Sequence, residues 1–150
     1  MRPVLRSGFV LVLAVALVAV SAGFAAAASA KTIHVVERAS TDAVTNGSEN
    51  DVEGNVLTFH NKVYDASNKT QVGRDAGYCI RTIVGKSWEC TWTTFLAAGS
   101  IMVEGPFSDT GSTVLAITGG TGAYATARGT MTLEYHNKKG TAFDFIFHVR

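Results

Sequence analysis

Hydrophobic and polar residues alternate in short runs along most of the chain, with the period of two that is typical of β-strands. In the last run, Phe143, Phe145 and Phe147 fall on one face, whereas Asp144 and His148 fall on the other. Glycine, asparagine, aspartate and serine separate the runs, and no amphipathic helix of useful length follows residue 30. The pattern predicts eight strands, at 32–37, 55–64, 71–84, 87–96, 100–105, 113–118, 128–136 and 141–149.

Short strands with a turn signal at each junction indicate a sandwich or a closed antiparallel barrel. The least regular segment, residues 40–54, is polar and acidic, and we expect it to form a long loop over one end. The aromatic residues on the predicted strands are numerous enough to line a cavity for one small ligand. A solid aromatic core fits the same pattern, and the sequence leaves this alternative open.

The first thirty residues differ in character from the rest. Arg2 and Arg6 precede an unbroken apolar run at 10–20, and a small-residue stretch ends in Ala-Ser-Ala at 28–30. This layout is typical of a Sec-type signal peptide, so we predict cleavage after Ala30 and secretion of a single domain, residues 31–150. An uncleaved membrane anchor is the alternative. After cleavage, no stable membrane insertion is expected.

Charge and motif content exclude several function classes. Without Arg2 and Arg6, 11 basic residues stand against 12 acidic ones, which is too little positive charge for a nucleic-acid-binding surface. The four histidines lack metal-ligand spacing, so we expect neither a metal nor a cofactor. The glycine-rich stretch at 119–122 lacks the Lys-Ser/Thr pair of a phosphate loop and is interpreted as a strand-to-strand corner.

The two cysteines lie in neighbouring predicted strands. If Val84 and Gly85 form a two-residue hairpin loop, Cys79 stands directly opposite Cys90, at the spacing that a cross-strand disulfide needs. In an oxidising compartment such a pair is expected to be bonded. Two buried thiols are the alternative.

One polar residue stands out within an apolar stripe. In the second predicted strand, Leu57, Phe59 and Val63 share a face with Asn61. A buried amide without hydrogen-bond partners costs about 1–3 kcal/mol. We therefore expect Asn61 either to be fully hydrogen-bonded or to lie in a polar pocket.

Several motifs together carry a resemblance to a known family. They occur in the order and at nearly the spacing of plant allene oxide cyclases, which the chain resembles from residue 54 to 133: NKVY at 61–64, VG at 72–73, GYC at 77–79, VEGPF at 103–107 and LAITGGTG at 115–122. The stretch 119–129 is also similar to the glycine-rich block of dirigent proteins. The resemblance implies an all-β fold, an eight-stranded antiparallel up-and-down-type barrel, and a homotrimer.

The resemblance also implies functional residues. In allene oxide cyclases, an unstable fatty-acid epoxide lies in an apolar barrel, where a carboxylate and an asparagine-bound water act on it. The family's asparagine matches Asn61, and the nearest acid to its carboxylate is Glu37. Its cavity cysteine matches Cys79, and Phe107 replaces its tyrosine. Dirigent proteins guide the coupling of phenolic radicals, and their arginine matches Arg128.

These observations predict an isomerase-like enzyme with a hydrophobic small molecule as substrate. Its expected catalytic groups are Asn61, Glu37 and Arg128. The residues that we expect to line the ligand cavity are Phe59, Cys79, Trp92, Phe107 and Tyr124. A non-catalytic, lipocalin-like carrier of a lipid-like or aromatic ligand is the alternative, and a structural protein with a filled core is a third.

Overall fold

The computed structural model describes residues 30–150, which form strands and a single short 3-10 helix (Gly122–Tyr124). The predicted signal peptide, apart from Ala30, lies outside the described residues. No helix of the described part is long and apolar enough to cross a membrane. The strands are β1 (Lys31–Arg38), β2 (Ala43–Asn46), β3 (Val56–Phe59), β4 (Lys62–Asp65), β5 (Gln71–Ile83), β6 (Ser87–Leu96), β7 (Gly99–Ser108), β8 (Thr113–Gly120), β9 (Gly129–Tyr135) and β10 (Phe143–Val149).

Antiparallel pairing closes the sheet into a barrel. β1 pairs with β10 on one side and with β4 on the other, and the series continues from β10 through β9, β8, β7 and β6 to β5. β5 pairs with β4 along its first half and with β3 along its second half. β3 and β4 together occupy one strand position in the barrel wall. The barrel therefore has eight strand positions, which we call staves, and the prediction of an eight-stranded barrel is confirmed.

The stave formed by β3 and β4 is interrupted at His60 and Asn61, where sequence analysis predicted one continuous strand. The His60 N–H donates to Oγ1 of Thr41 (2.8 Å), and the Asn61 N–H donates to Oδ1 of Asp75 (3.0 Å). These backbone groups therefore bond to side chains at the break. The break brings the Asn61 side chain into the barrel wall at the point where β1 ends.

Inward-facing side chains fill most of the barrel. On β10, Phe143, Phe145 and Phe147 are buried together, as the alternation predicted, and Val35 of β1 packs into the same cluster. Burial of such side chains contributes about 1.5–3 kcal/mol each relative to exposure. The apolar core therefore runs through the barrel, and it borders a cavity at one end.

The hairpin of β5 and β6 carries the predicted disulfide. Cys79 pairs with Cys90 in the ladder, with 4.0 Å between their Cα atoms, and the two are bonded. The predicted two-residue turn is wrong, because Ile83 pairs with Ser87 and leaves a three-residue loop that contains Gly85 at φ +65°. A register shift between Arg81 and Ile83 absorbs the additional residue, so the pairing of the cysteines is unchanged.

Removal of this disulfide is expected to lower the free energy of unfolding by about 3 kcal/mol, because the crosslink restricts the unfolded chain over a loop of about a dozen residues. The measurement is urea unfolding of the double variant Cys79→Ala/Cys90→Ala. Reduced wild-type protein serves as the control and should match the double variant. A double variant as stable as the oxidised protein would contradict the expectation.

Residues 40–54 form a flap over one end of the barrel, and they are more ordered than the predicted loop. β2 lies within the flap and pairs with β3, which extends the sheet beyond the barrel. The far side of the flap is attached to the β5–β6 hairpin, where the Gly85 N–H donates to Oδ2 of Asp51 (2.9 Å) and Arg81 forms an ion pair with Asp51 (2.6 Å). The flap is therefore held at both edges of the barrel mouth.

Candidate functional site

An aromatic cavity lies beneath the flap, at the end of the barrel where β1 ends and β6 begins. Its volume is about 60 Å³. The residues that line it are mostly aromatic or apolar, with two carboxyl groups on one side: Glu37, Asp42, Leu57, Phe59, Cys79, Trp88, Cys90, Trp92, Phe107, Leu133, Phe143 and Phe145. The structure thus places four of the five predicted cavity residues, including Phe59 and Trp92, on the cavity wall.

Ring contacts fix the shape of this cavity. The ring of Trp92 packs edge-to-face against Phe59 (6.0 Å between centroids) and lies tilted against Phe145 (5.3 Å). Phe107 and Phe143 form a second edge-to-face pair at 5.5 Å. Such pairs contribute about 0.5–1.5 kcal/mol beyond the burial of their area, so the rings are held in defined positions.

Asn61 joins the two carboxyl groups of the cavity. Its Nδ2 donates to Oε1 of Glu37 (2.7 Å) and to Oδ1 of Asp42 (2.6 Å). Its Oδ1 accepts from the Ser40 N–H and from both the N–H and the hydroxyl of Thr41, at 2.9–3.0 Å. The side chain is 1% exposed, and its amide is fully hydrogen-bonded. Asn61 therefore connects the break between β3 and β4 to the end of β1 and to the start of the flap.

Sequence analysis missed a third carboxyl group, Asp75 of β5. Asp75 is completely buried, and its Oδ1 accepts from the Asn61 N–H, whereas its Oδ2 has no hydrogen-bond partner among the described residues. The available signal was its spacing, because Asp75 lies four residues before Cys79 and therefore on the same, inward face of the strand. An acid at that position lies close to the carboxyl of Glu37, although the stave formed by β3 and β4 separates their strands β5 and β1.

The environment favours the neutral form of Glu37. Burial raises the pKa of Glu37 well above its ordinary value, and the negative charge of Asp75 raises this pKa further, against the opposing hydrogen bond from Asn61. Burial also raises the pKa of Asp75, although the hydrogen bond from the Asn61 N–H favours its charged form. The cavity wall therefore carries a carboxyl group, Glu37, whose surroundings favour its protonated form.

Two predicted site residues lie away from this cavity. Tyr124, in the 3-10 helix, is buried in the apolar core but does not line the cavity. Arg128 is exposed, and its Nη1 donates to the carbonyl of Ala127. Both lie in the connection between β8 and β9, which is at the end of the barrel opposite the flap, beside the end of β10. These two residues were predicted from their place beside the glycine-rich motif, whereas the direction of the strands decides at which end of the barrel they lie.

Arg81 closes the mouth of the cavity and was also missed. Its guanidinium stacks on the ring of Trp88, 4.0 Å from the ring centroid. It forms ion pairs with Asp51 of the flap and with Asp109, at 2.6 Å each, and the side chain is 8% exposed. Two carboxylates thus balance its charge. In residues 30–150, no group of three or more histidine, cysteine or acidic side chains is placed to hold a metal ion.

Comparison with known proteins agrees with this architecture. The chain is similar to the structure of a pyocyanin demethylase, with 23% identity over 78% of this chain and 100% of that one, and a TM-score of 0.61. It is similar to a pterocarpan synthase dirigent protein, with 14% identity over 82% and 97% of the two chains and a TM-score of 0.68. It is also similar to an exo-specific intermolecular Diels-Alderase, with 14% identity over 81% of this chain and 98% of that one, and a TM-score of 0.64. These identities show a shared fold.

The sequence itself matches a family model. The match, to the family described as allene oxide cyclase, extends over residues 28–139 and so includes every stave except β10. It contains Glu37, Asn61 and the disulfide-bonded hairpin. This protein therefore belongs to the allene oxide cyclase family.

Proposed function

We propose that this protein binds a hydrophobic small molecule in the aromatic cavity and catalyses an isomerase-type reaction, such as a ring closure, with Glu37 as the acid. The observation that carries the proposal is a buried carboxyl group with a raised pKa on the wall of a cavity lined by aromatic rings. A carboxyl whose pKa is raised towards neutrality is the form that general acid catalysis requires.

Proton transfer can proceed with the groups that surround Glu37. Glu37 gives its proton to the ligand, and the resulting carboxylate keeps its hydrogen bond from Nδ2 of Asn61. The same carboxylate then takes a proton from a second position of the ligand, which completes an isomerisation without net gain or loss of protons. Asn61 acts as a positioning residue, because it holds the carboxyl of Glu37 at the cavity wall.

The aromatic wall supplies control of ligand shape. Rings fixed by mutual packing allow few ligand conformers, and selection of one of them favours one stereochemical outcome. Two proteins that share this fold, one described as an exo-specific intermolecular Diels-Alderase and the other as a pterocarpan synthase dirigent protein, support this role. Since about 60 Å³ is below the 300 Å³ or more of typical ligand pockets, the flap or cavity side chains must move on binding.

The proposal is tested by incubation of the protein with a small-metabolite extract in D₂O, followed by mass spectrometry. Isomers that gain a deuterium are expected with wild-type protein. The variant Glu37→Gln is expected to form them about 10²–10⁴-fold more slowly, because it cannot transfer a proton. Glu89→Gln, which removes an exposed acid on β6, is the matched control and should act as wild type. Equal rates for Glu37→Gln and wild type would overturn the role of Glu37.

A non-catalytic carrier is the second candidate. It is favoured by the disulfide, because Cys79 at the cavity wall is bonded to Cys90 and offers no thiol to a ligand. Under this alternative, a compound that co-purifies with the protein is recovered unchanged after incubation. The same compound is recovered in the same chemical form from Glu37→Gln. Conversion of the bound compound by wild type alone would exclude the carrier.

Secretion after cleavage at Ala30 and assembly as a homotrimer stay predictions. The disulfide supports an oxidising compartment, since such bonds persist in secreted proteins and are rare in reducing ones. The trimer rests on resemblance to the family.

A further inference from the structure

We propose that the ligand of this cavity is a small organic cation, in which a positively charged nitrogen is carried on an apolar or aromatic skeleton. The inference rests on the proposed function, since it takes the aromatic cavity as the ligand site. It specifies the charge of the ligand, which the proposed reaction by itself leaves open.

The first argument is the chemistry of the cavity wall. Aromatic faces attract cations through the negative charge density of their rings, and cages of such rings recognise quaternary ammonium groups. Here six aromatic residues, among them Trp88 and Trp92, line the cavity together with the carboxyl groups of Glu37 and Asp42. None of the described residues that line the cavity is lysine, arginine or histidine.

The second argument is the charge at the entrance. The flap over the mouth contains four acidic residues, among them Asp42 and Asp51, and no lysine, arginine or histidine. Arg81, which lies at the mouth, is paired with both Asp51 and Asp109. Apart from Asp51, the carboxylates of the flap form no ion pair with a described residue. Carboxylates at a mouth raise the local concentration of cations and repel anions. A fatty-acid carboxylate would meet these groups on entry.

The third argument is an unpartnered donor in the cavity wall. The indole N–H of Trp92 is buried and has no hydrogen-bond partner among the described residues. A buried donor of this kind costs about 1–3 kcal/mol while it is unmet. A ligand that carries an oxygen or nitrogen acceptor in addition to its cationic nitrogen would satisfy it.

The test compares three probes of nearly the same shape: choline, its neutral isostere 3,3-dimethylbutan-1-ol, and the anion 3,3-dimethylbutanoate. Both tryptophans of the chain line the cavity, so tryptophan fluorescence reports binding directly, and calorimetry checks the affinities. Choline is expected to bind at least about fivefold more tightly than either of the other two, in line with the usual strength of cation–π contacts.

Two variants connect the preference to the site. Asp42→Asn keeps an acceptor for Nδ2 of Asn61 but removes the charge, and we expect it to weaken choline binding about threefold or more without changing the affinity for the alcohol. Glu89→Gln removes an acid from the outer face of β6 and should leave all three affinities unchanged.

Each outcome decides between the proposals. Binding of the alcohol or the anion as tightly as choline would overturn the cationic ligand and leave the isomerase proposal standing. Absence of binding by all three probes would overturn the cationic ligand, and the deuterium assay with Glu37→Gln would then decide the isomerase proposal on its own. Choline preference together with unaltered isomer formation by Glu37→Gln would support a cation carrier and overturn the role of Glu37 alone.

Discussion

Replacement of Asn61 by leucine is expected to lower the free energy of unfolding by about 4 kcal/mol, although the two side chains are similar in size. The variant removes both donors that hold Glu37 and Asp42 and the acceptor for three groups of Ser40 and Thr41. Buried polar groups left without partners cost about 1–3 kcal/mol each, and part of this cost is relieved where the flap can admit water.

Urea unfolding measures the effect, with Asn46→Leu as the matched control. Asn46 is exposed on β2, so the same substitution there should change stability by less than about 0.5 kcal/mol. The flap should also lose protection from amide hydrogen exchange in Asn61→Leu, because Ser40 and Thr41 are no longer held. A stability loss in Asn61→Leu no greater than in Asn46→Leu would show that Asn61 does not organise the site.

The second large effect concerns pH. The pKa of Glu37 is higher in the folded protein than the ordinary value of 4.5, so above that pH the folded state holds a proton that the unfolded state has released. The free energy of unfolding therefore falls as pH rises from about 4.5 to the raised pKa of the carboxyl pair. The slope is at most about 1.4 kcal/mol per pH unit for one proton.

Glu37→Gln is expected to reduce this slope and to be more stable than wild type at pH 8, and part of the slope should persist because burial also raises the pKa of Asp75. Its amide can donate to Asp75 at every pH, and its carbonyl can still accept from Nδ2 of Asn61. Asp75→Asn should keep part of the slope, because burial is the largest cause of the raised pKa of Glu37. The measurement is urea unfolding between pH 4.5 and 8.

Parallel pH profiles for wild type and Glu37→Gln would contradict the raised pKa of Glu37. Asp65 does not confuse this comparison. Its pKa is lowered to about 2, chiefly by the hydrogen bond from the Lys69 N–H, so its contribution is lost only as pH falls below the range that is measured. The contribution of Asp65 to stability therefore decreases as pH falls, whereas that of Glu37 decreases as pH rises.

The local alternation of apolar and polar residues was sufficient to predict most of the strands that form the barrel. A period of two places alternate residues on opposite faces whatever the rest of the fold, so the inward positions of Phe145 and Phe147 could be assigned before any contact was known. The same rule placed Cys79 opposite Cys90 even though the assumed turn was wrong. The error in the turn was absorbed by a local register shift, which sequence patterns do not reveal.

The site was only partly predictable for a related reason. Asn61 was conspicuous because an amide in an apolar stripe demands partners, but its partners belong to β1, β5 and the flap. Asp75 and Arg81 escaped notice because charged residues on strands are usually exposed, and their burial depends on groups from distant parts of the chain. Arg128 was misplaced because a motif identifies a residue without fixing the end of the barrel at which it lies.

The sequence by itself thus determined the strand periodicity, the cysteine pairing and the family, because these depend on spacing between residues close in the chain or on motifs in fixed order. Tertiary structure alone decided which carboxyl groups meet. Glu37, Asp42 and Asp75 come together because barrel closure brings β1 beside the broken stave and β5 behind it. The raised pKa values of Glu37 and Asp75 follow from burial and proximity, and neither property exists before the barrel closes.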